Sequence, residues 1–160
     1  MSEILTSPRP SRFGRALGFR VLSSGSAVPD RVVTNADLGH LGCDPEWILS
    51  RSGIQERRHV DPGMATSDLA VKAAEQALAA CGDVRDQVDL LVLGTFTPDT
   101  NLPSTACIVQ EKLGLNAPAM DVTAACAGFA YGLVTAGQFL ATGSSNCLLY
   151  TSDAADDNAG

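Results

Sequence analysis

The sequence predicts an α/β fold, layered around a largely parallel sheet. Three observations carry that prediction. Residues 88–95, VDLLVLGT, form a nearly continuous apolar run, the pattern of a strand covered on both faces. Ala70, Ala73, Ala74, Ala77, Leu78 and Cys81 recur at helical spacing and mark an amphipathic helix. Strand-like and helix-like stretches then alternate up to residue 142, as strands joined by crossover helices do.

The elements follow in order. Residues 1–17 are polar and contain Pro8 and Pro10, so they are expected to be a disordered extension. Residues 18–24, GFRVLSS, read as a first strand ending at Gly25. Pro29, Asn35 and Asp37 mark a loop and a possible helix start. Asp44 stands before Pro45 and Trp47. It is expected to cap a short helix with proline in its first turn, stopped by Gly53. Thr66 or Ser67 is expected to cap the next helix, with Asp68 in its first turn and Gly82 at its end.

After the apolar strand, Pro98, Asp99, Asn101 and Pro103 make a loop. Ser104 is expected to cap a helix to about Leu113, stopped by Gly114. Cys81 and Cys107 are read as packing residues. Residues 118–123 read as the next strand. Residues 126–142 read as a helix apolar on most faces, which suits the centre of a protein. Its glycines permit close approach of a neighbour, and Gly132 and Gly137 are read as packing positions.

Composition narrows the functions. The chain has 160 residues, a formal charge of −7 and no block rich in lysine or arginine, which argues against a nucleic-acid role. Arg51, Arg57 and Arg58 form a local basic group suited to a phosphorylated ligand or to solvent. No apolar run is long enough to span a bilayer, and residues 1–15 lack the apolar core of a secretory signal. The five cysteines show no C-x-x-C pair and no metal-ligand spacing with His40 or His59. A cytoplasmic protein without a bound metal is expected.

Cys126 is the candidate nucleophile. It lies in DVTAACAGFA, residues 121–130, between a strand-like run and a helix, with small neighbours on both sides. A helix N-terminus offers unpaired N–H groups and partial positive charge, which favour thiolate. A lone cysteine in apolar sequence is more often a small buried hydrophobe, and on residue type alone both readings stand.

Several blocks resemble one family at its own spacing: PDRVVTNADL (29–38), EWI (46–48), RSGIQERR (51–58), LPSTAC (102–107) and DVTAACAGF (121–129). They are similar to the first half of β-ketoacyl-acyl-carrier-protein synthase III, the initiating condensing enzyme of type II fatty-acid synthesis. The resemblance runs from about residue 18 to residue 146. It implies the N-terminal half of a thiolase-like layered α/β fold, truncated. It also implies a ping-pong reaction: Cys126 takes an acyl group from acyl-CoA, then malonyl-acyl-carrier protein loses carbon dioxide and attacks the thioester.

The resemblance further implies residue roles. Trp47 matches the tryptophan that stacks on the CoA adenine, and Arg51 the arginine near the CoA phosphates. Read as residues alone, these are equally a core anchor and a surface charge. Leu102 matches a loop position that reaches toward the partner's acyl pocket in family dimers. Cys43 falls where many members carry a small polar residue near the adenine. The implied cofactor requirement is none, with the CoA thioester as substrate, and the implied assembly is a homodimer. The family's histidine and asparagine belong to its second half, and neither His40 nor His59 sits in a matching motif. These 160 residues are therefore expected to lack condensing activity.

Residues 147–156, CLLYTSDAAD, match the in-frame translation of a transposon-type sequencing adapter. Residues 147–160 are therefore expected to be non-native read-through, with a genuine family strand as the competing reading. Alternative functions are a same-fold acyltransferase or condensing enzyme of a secondary pathway, a noncatalytic acyl-CoA-binding protein and, more weakly, a redox-sensing cysteine.

Overall fold

The computed structural model describes residues 18–153. Extension 1–17 and residues 154–160 of the expected tail lie outside them. The sheet is three-stranded and parallel, in the order β4-β3-β5: β3 is Leu90–Gly94, β4 Ala119–Val122 and β5 Leu148–Ser152. Among the described residues there are four α-helices: α1 (Pro45–Ser52), α2 (Thr66–Ala80), α3 (Thr105–Leu113) and α4 (Gly128–Ala141), of which α2, α3 and α4 pack on this sheet.

The strand β3 shows why its sequence is apolar without alternation. Every one of its residues is buried, and successive side chains pack into different layers. Leu91 and Leu93 join Ala70, Ala74 and Leu78 of α2 and Ala106, Val109 and Leu113 of α3 in one core. Leu90 and Val92 pack on the other face with Ala136 of α4, flanked by Met120, Phe139 and Tyr150. Cys81 and Cys107 are half-buried, in keeping with packing. The Sγ of Cys81 donates to Leu78 O at 3.4 Å, and Cys107 accepts from Ser104 Oγ at 3.1 Å.

The ends of α1 and α3 follow the expected chemistry, and the start of α2 does not. Asp44 caps α1 by accepting from Glu46 N, and Ser104 caps α3 by accepting from Cys107 N. Gly53 closes α1 at φ 74°, a left-handed conformation that glycine adopts without the Cβ penalty. At α2 the N-cap is Ala65, not Thr66 or Ser67. Asp68 makes the cap from inside the helix, accepting from Ala65 N at 2.9 Å. Ser67 is fully buried, and its hydroxyl accepts from Lys112 of α3 at 2.7 Å. The Lys112 ammonium also lies 2.7 Å from Asp68, and this hydrogen bond is the main cause holding the Asp68 carboxyl below its ordinary range.

The expected first strand is absent. Residues 18–24 run as irregular chain along α2, where Ser23 Oγ donates to Ala77 O at 2.7 Å. Gly25 sits so close to α2 that a Cβ there would lie 2.1 Å from Ala73 O. The structure adds an antiparallel ribbon that periodicity did not indicate. Strand β1 (Arg31–Thr34) pairs with β2 (Glu56–His59), from Arg31↔His59 to Thr34↔Glu56, and a 3-10 helix over Asn35–Leu41 follows β1.

Segment 148–152 adds to the sheet as β5, in register from Leu90↔Leu148 to Gly94↔Ser152. Its entry is fixed by Asp89, whose carboxylate accepts from Ser145 Oγ, from Asn146 N at 2.8 Å and from Cys147 N at 3.3 Å. Partial burial pushes the Asp89 carboxyl up, but the Ser145 hydroxyl and the two amides together outweigh it and hold it below the ordinary 3.8. A depressed folded value stabilises the fold fully above about pH 4, and the contribution is lost as pH falls through that value. Asp89→Asn is therefore expected to lower the midpoint of thermal unfolding at neutral pH and to shrink its decline in acid. An unchanged acid limb counts against this role.

Candidate active site

The connection from β4 to α4 presents Cys126. After Val122 the chain passes through Thr123 and Ala124 into a 3-10 turn, Ala125–Ala127, and α4 begins only at Gly128. Cys126 thus precedes the helix by a turn, where the sequence pattern had placed it as the first helical residue. Ala125 has φ 44°, a left-handed conformation that costs a non-glycine residue about 1–2 kcal/mol. The bend it makes leaves Cys126 exposed between Ala125 and Ala127, themselves exposed and small.

The bend sits in a close approach of two elements. The end of β3 and the start of α4 nearly touch: a Cβ on Gly94 would lie 3.0 Å from Gly128 O. No side chain caps α4 at Ala127, so the amides of its first turn are left to other acceptors. Asp121, at the head of the cysteine motif, points the other way. Its carboxylate accepts from Thr105 N at 2.9 Å and from Ala106 N at 2.7 Å and so joins the strand that leads to Cys126 to the N-terminus of α3. The sequence motif contained Asp121, but only the three-dimensional structure shows what it binds. Asp121→Ala is expected to cost about 1–2 kcal/mol, the value of a helix cap. A denaturation midpoint equal to wild type would contradict this.

The other predicted residues lie on separate elements. Trp47 and Arg51 share one face of α1, spaced i and i+4, and both are exposed, Trp47 by 56%. Leu102 stands on the loop between β3 and α3 with 88% of its surface exposed. The loop is anchored on both sides of it: Asp99 Oδ1 accepts from Ser67 N at 3.0 Å, and Asp99 N donates to Thr105 Oγ1 at 2.9 Å. Cys43 is half-buried beside α1. The basic group does not converge. Arg57 donates to Val33 O and Asn35 Oδ1, and Arg58 to Pro29 O and Asp30 O, which leaves Arg51 as the arginine displayed on α1.

Around the cysteine, α4 exposes Phe129, Tyr131, Leu133 and Val134, and the loop after β3 exposes Phe96. The glycine expectations hold at both positions: Gly132 lies against the Tyr150 ring and Gly137 against Phe19. Two open depressions lie elsewhere, one along Ser26, Val28, Lys72 and Gln76 and one beside Cys81 and Val84. Neither is lined by Cys126, Trp47, Arg51 or Leu102. Among the described residues no group of His, Cys, Asp and Glu side chains could hold a metal ion, and no helix is long and apolar enough to cross a membrane.

A parallel sheet with helices on both faces, and a cysteine on a strained strand–turn–helix bend, define the first half of a thiolase-like condensing-enzyme fold. Over most of its length the chain is similar to the N-terminal part of β-ketoacyl-acyl-carrier-protein synthases III. The family model described as 3-oxoacyl-[acyl-carrier-protein] synthase III matches residues 120–156. A β-ketoacyl-[acyl-carrier-protein] synthase III of Rhodopirellula baltica is 51% identical over 136 residues, 85% of this chain and 39% of that protein. The solved synthase III of Thermus thermophilus superposes with a TM-score of 0.79 at 40% identity, covering 84% of this chain and 42% of that one. A priming β-ketosynthase of a polyketide biosynthetic pathway superposes with a TM-score of 0.75 at 32% identity, covering 86% and 44%. The chain thus spans about two fifths of the length of the curated relatives it matches.

Proposed function

We propose that Cys126 is the acyl-accepting nucleophile of an initiating condensing enzyme. The observation that carries this reading is an exposed thiol on a left-handed bend ahead of an uncapped helix N-terminus. A thiol serves both half-reactions: it attacks the acyl-CoA carbonyl and expels the CoA thiolate, and it later leaves when the decarboxylated malonyl carbon attacks. The partial positive charge of the helix N-terminus beside it suits the oxyanion that forms in each attack. Trp47 would stack on the adenine and Arg51 would meet the phosphates, since both project from the same face of α1. Leu102, on its anchored loop, would reach the acyl pocket of a partner subunit in a homodimer.

The partners proposed are acyl-CoA and malonyl-acyl-carrier protein, with no cofactor, in the cytoplasm. The 160 residues are proposed to lack condensing activity, because His40 in the 3-10 helix and His59 in β2 occupy no family catalytic motif. The test uses the full-length gene product. Incubated with acyl-CoAs, it is expected to gain an acyl mass on the peptide containing Cys126. No adduct with any acyl-CoA removes the ping-pong reading, and an adduct without subsequent condensation redirects it to acyl transfer.

The polyketide priming relative favours one second reading, a condensing enzyme of a secondary pathway. Condensation with the malonyl carrier protein of fatty-acid synthesis supports the primary role, and turnover only with a different carrier protein supports the secondary one.

The segments proposed are an extension over 1–17, a thiolase-like half over 18–146 and read-through over 147–160. The decapeptide at 147–156 supports the last, while the register of β5 and the reach of the family match to residue 156 favour a native strand. The parental gene is expected to continue after Asn146 without that decapeptide, and an intact genomic clone encoding it would overturn the assignment.

A further inference from the structure

The helix α1 carries the proposed nucleotide-binding face, yet it buries none of its own residues. Something other than a hydrophobic seam must fix its direction. One side chain touches both of its ends. Asn35, buried to 7% exposure, donates through Nδ2 to Ile54 O at 2.8 Å, just past the C-cap, and to Pro45 O at 3.5 Å, at the first helical residue. Its backbone N–H donates to Gln55 O at 3.2 Å. The amide is oriented in turn by Arg57, whose Nη2 donates to Asn35 Oδ1 at 2.7 Å and whose Nη1 donates to Val33 O at 3.4 Å. A guanidinium can only donate, so it holds the carboxamide oxygen toward itself and the NH2 toward α1.

We infer that Asn35 and Arg57 form a positioning clamp that sets α1, and with it Trp47 and Arg51, for the nucleotide end of the acyl-CoA thioester. The inference rests on the reading of α1 given above. Both residues lie on elements other than the β4–α4 connection that carries Cys126. Arg57 is half-buried in the β1–β2 ribbon, so its charge-assisted bond couples the ribbon to the helix. Loosening the clamp lets the i and i+4 pair swing as a unit, which weakens acyl-CoA capture without altering the cysteine bend between β4 and α4.

The experiment measures single-turnover acylation of Cys126 in the full-length gene product with two thioesters. One is an acyl-CoA that loads the wild type. The other is the N-acetylcysteamine thioester of the same acyl group, which keeps the reacting carbonyl and lacks the nucleotide. Arg57→Met is expected to raise the half-saturating acyl-CoA concentration about tenfold, the equivalent of one charged hydrogen bond. The saturating rate and the rate with the truncated thioester should stay near wild type. Asn35→Asp, which keeps the acceptor for Arg57 and loses the donors to α1, should show the same split, and Arg57→Lys should restore part of it. Equal slowing with both thioesters in the Arg57 and Asn35 variants, or no change with either, overturns the clamp. Trp47→Ala separates the two levels. If it too leaves acyl-CoA half-saturation unchanged, the nucleotide-binding reading of α1 falls and the clamp with it. If it raises half-saturation while Arg57→Met and Asn35→Asp do not, only the clamp falls.

Discussion

Cys126→Ala in the full-length protein is expected to abolish acyl loading, with the rate of adduct formation down by at least about a thousandfold, as when an enzyme loses its nucleophile. Cys126→Ser keeps a similar shape on the same bend, but a hydroxyl without an adjacent base is a far weaker nucleophile than a thiol, so its adduct should also disappear. Peptide mapping makes the test specific, because Cys126 lies on a different peptide and in different surroundings from Cys81 and Cys107. Cys81 and Cys107 are tied into hydrogen bonds at the ends of α2 and α3. A persistent adduct in Cys126→Ala, or one mapped to Cys43, Cys81 or Cys107, would remove Cys126 from the mechanism.

Leu93→Ala is expected to destabilise the fold by about 2–5 kcal/mol, the range for a truncated fully buried leucine. Leu93 has no exposed surface and lies where α2 and α3 meet the sheet. It also lies two residues before Thr95, whose N–H donates to Val122 O at 3.1 Å, so the cavity opens beneath the strand end that carries the site. Total stabilities of domains are only about 5–15 kcal/mol, so the loss should be plain as a lower denaturant midpoint. Phe129→Ala is the contrast. Its side chain is larger, but 61% of its surface is exposed, and a change below about 1 kcal/mol is expected for such a position. A Leu93→Ala midpoint no lower than that of Phe129→Ala would show that the core does not centre on β3.

Much of this was legible along the chain because the signals were local. The apolar run at 88–95 identified the central strand, since a strand covered on both faces has no polar side to display. Asp44, Ser104 and Gly53 marked helix ends because caps work within a few residues of backbone. Cys126 stood out through its motif and its small neighbours. The failures came where a partner distant in sequence decides. Residues 18–24 have the composition of a strand, but they run as irregular chain against α2, with Ser23 bonded to Ala77 and Gly25 seated close to the helix. Pairing of β1 with β2 across 56–59 was invisible because ERRH has no alternating apolar pattern.

The sequence by itself determined the layered parallel architecture, the cysteine at a strand-to-helix junction and the family resemblance, because periodicity, capping and motif blocks are written in neighbouring residues. Only the tertiary structure decided where the polar side chains are spent. Arg57 and Arg58 read as part of a basic group open to a phosphorylated ligand or to solvent, yet they close on backbone carbonyls and the Asn35 amide. Asp121 reads as part of the cysteine motif, yet it caps α3. A hydrogen-bonding side chain takes the nearest matching partner in space. That partner belongs to another element, and linear spacing does not encode its distance.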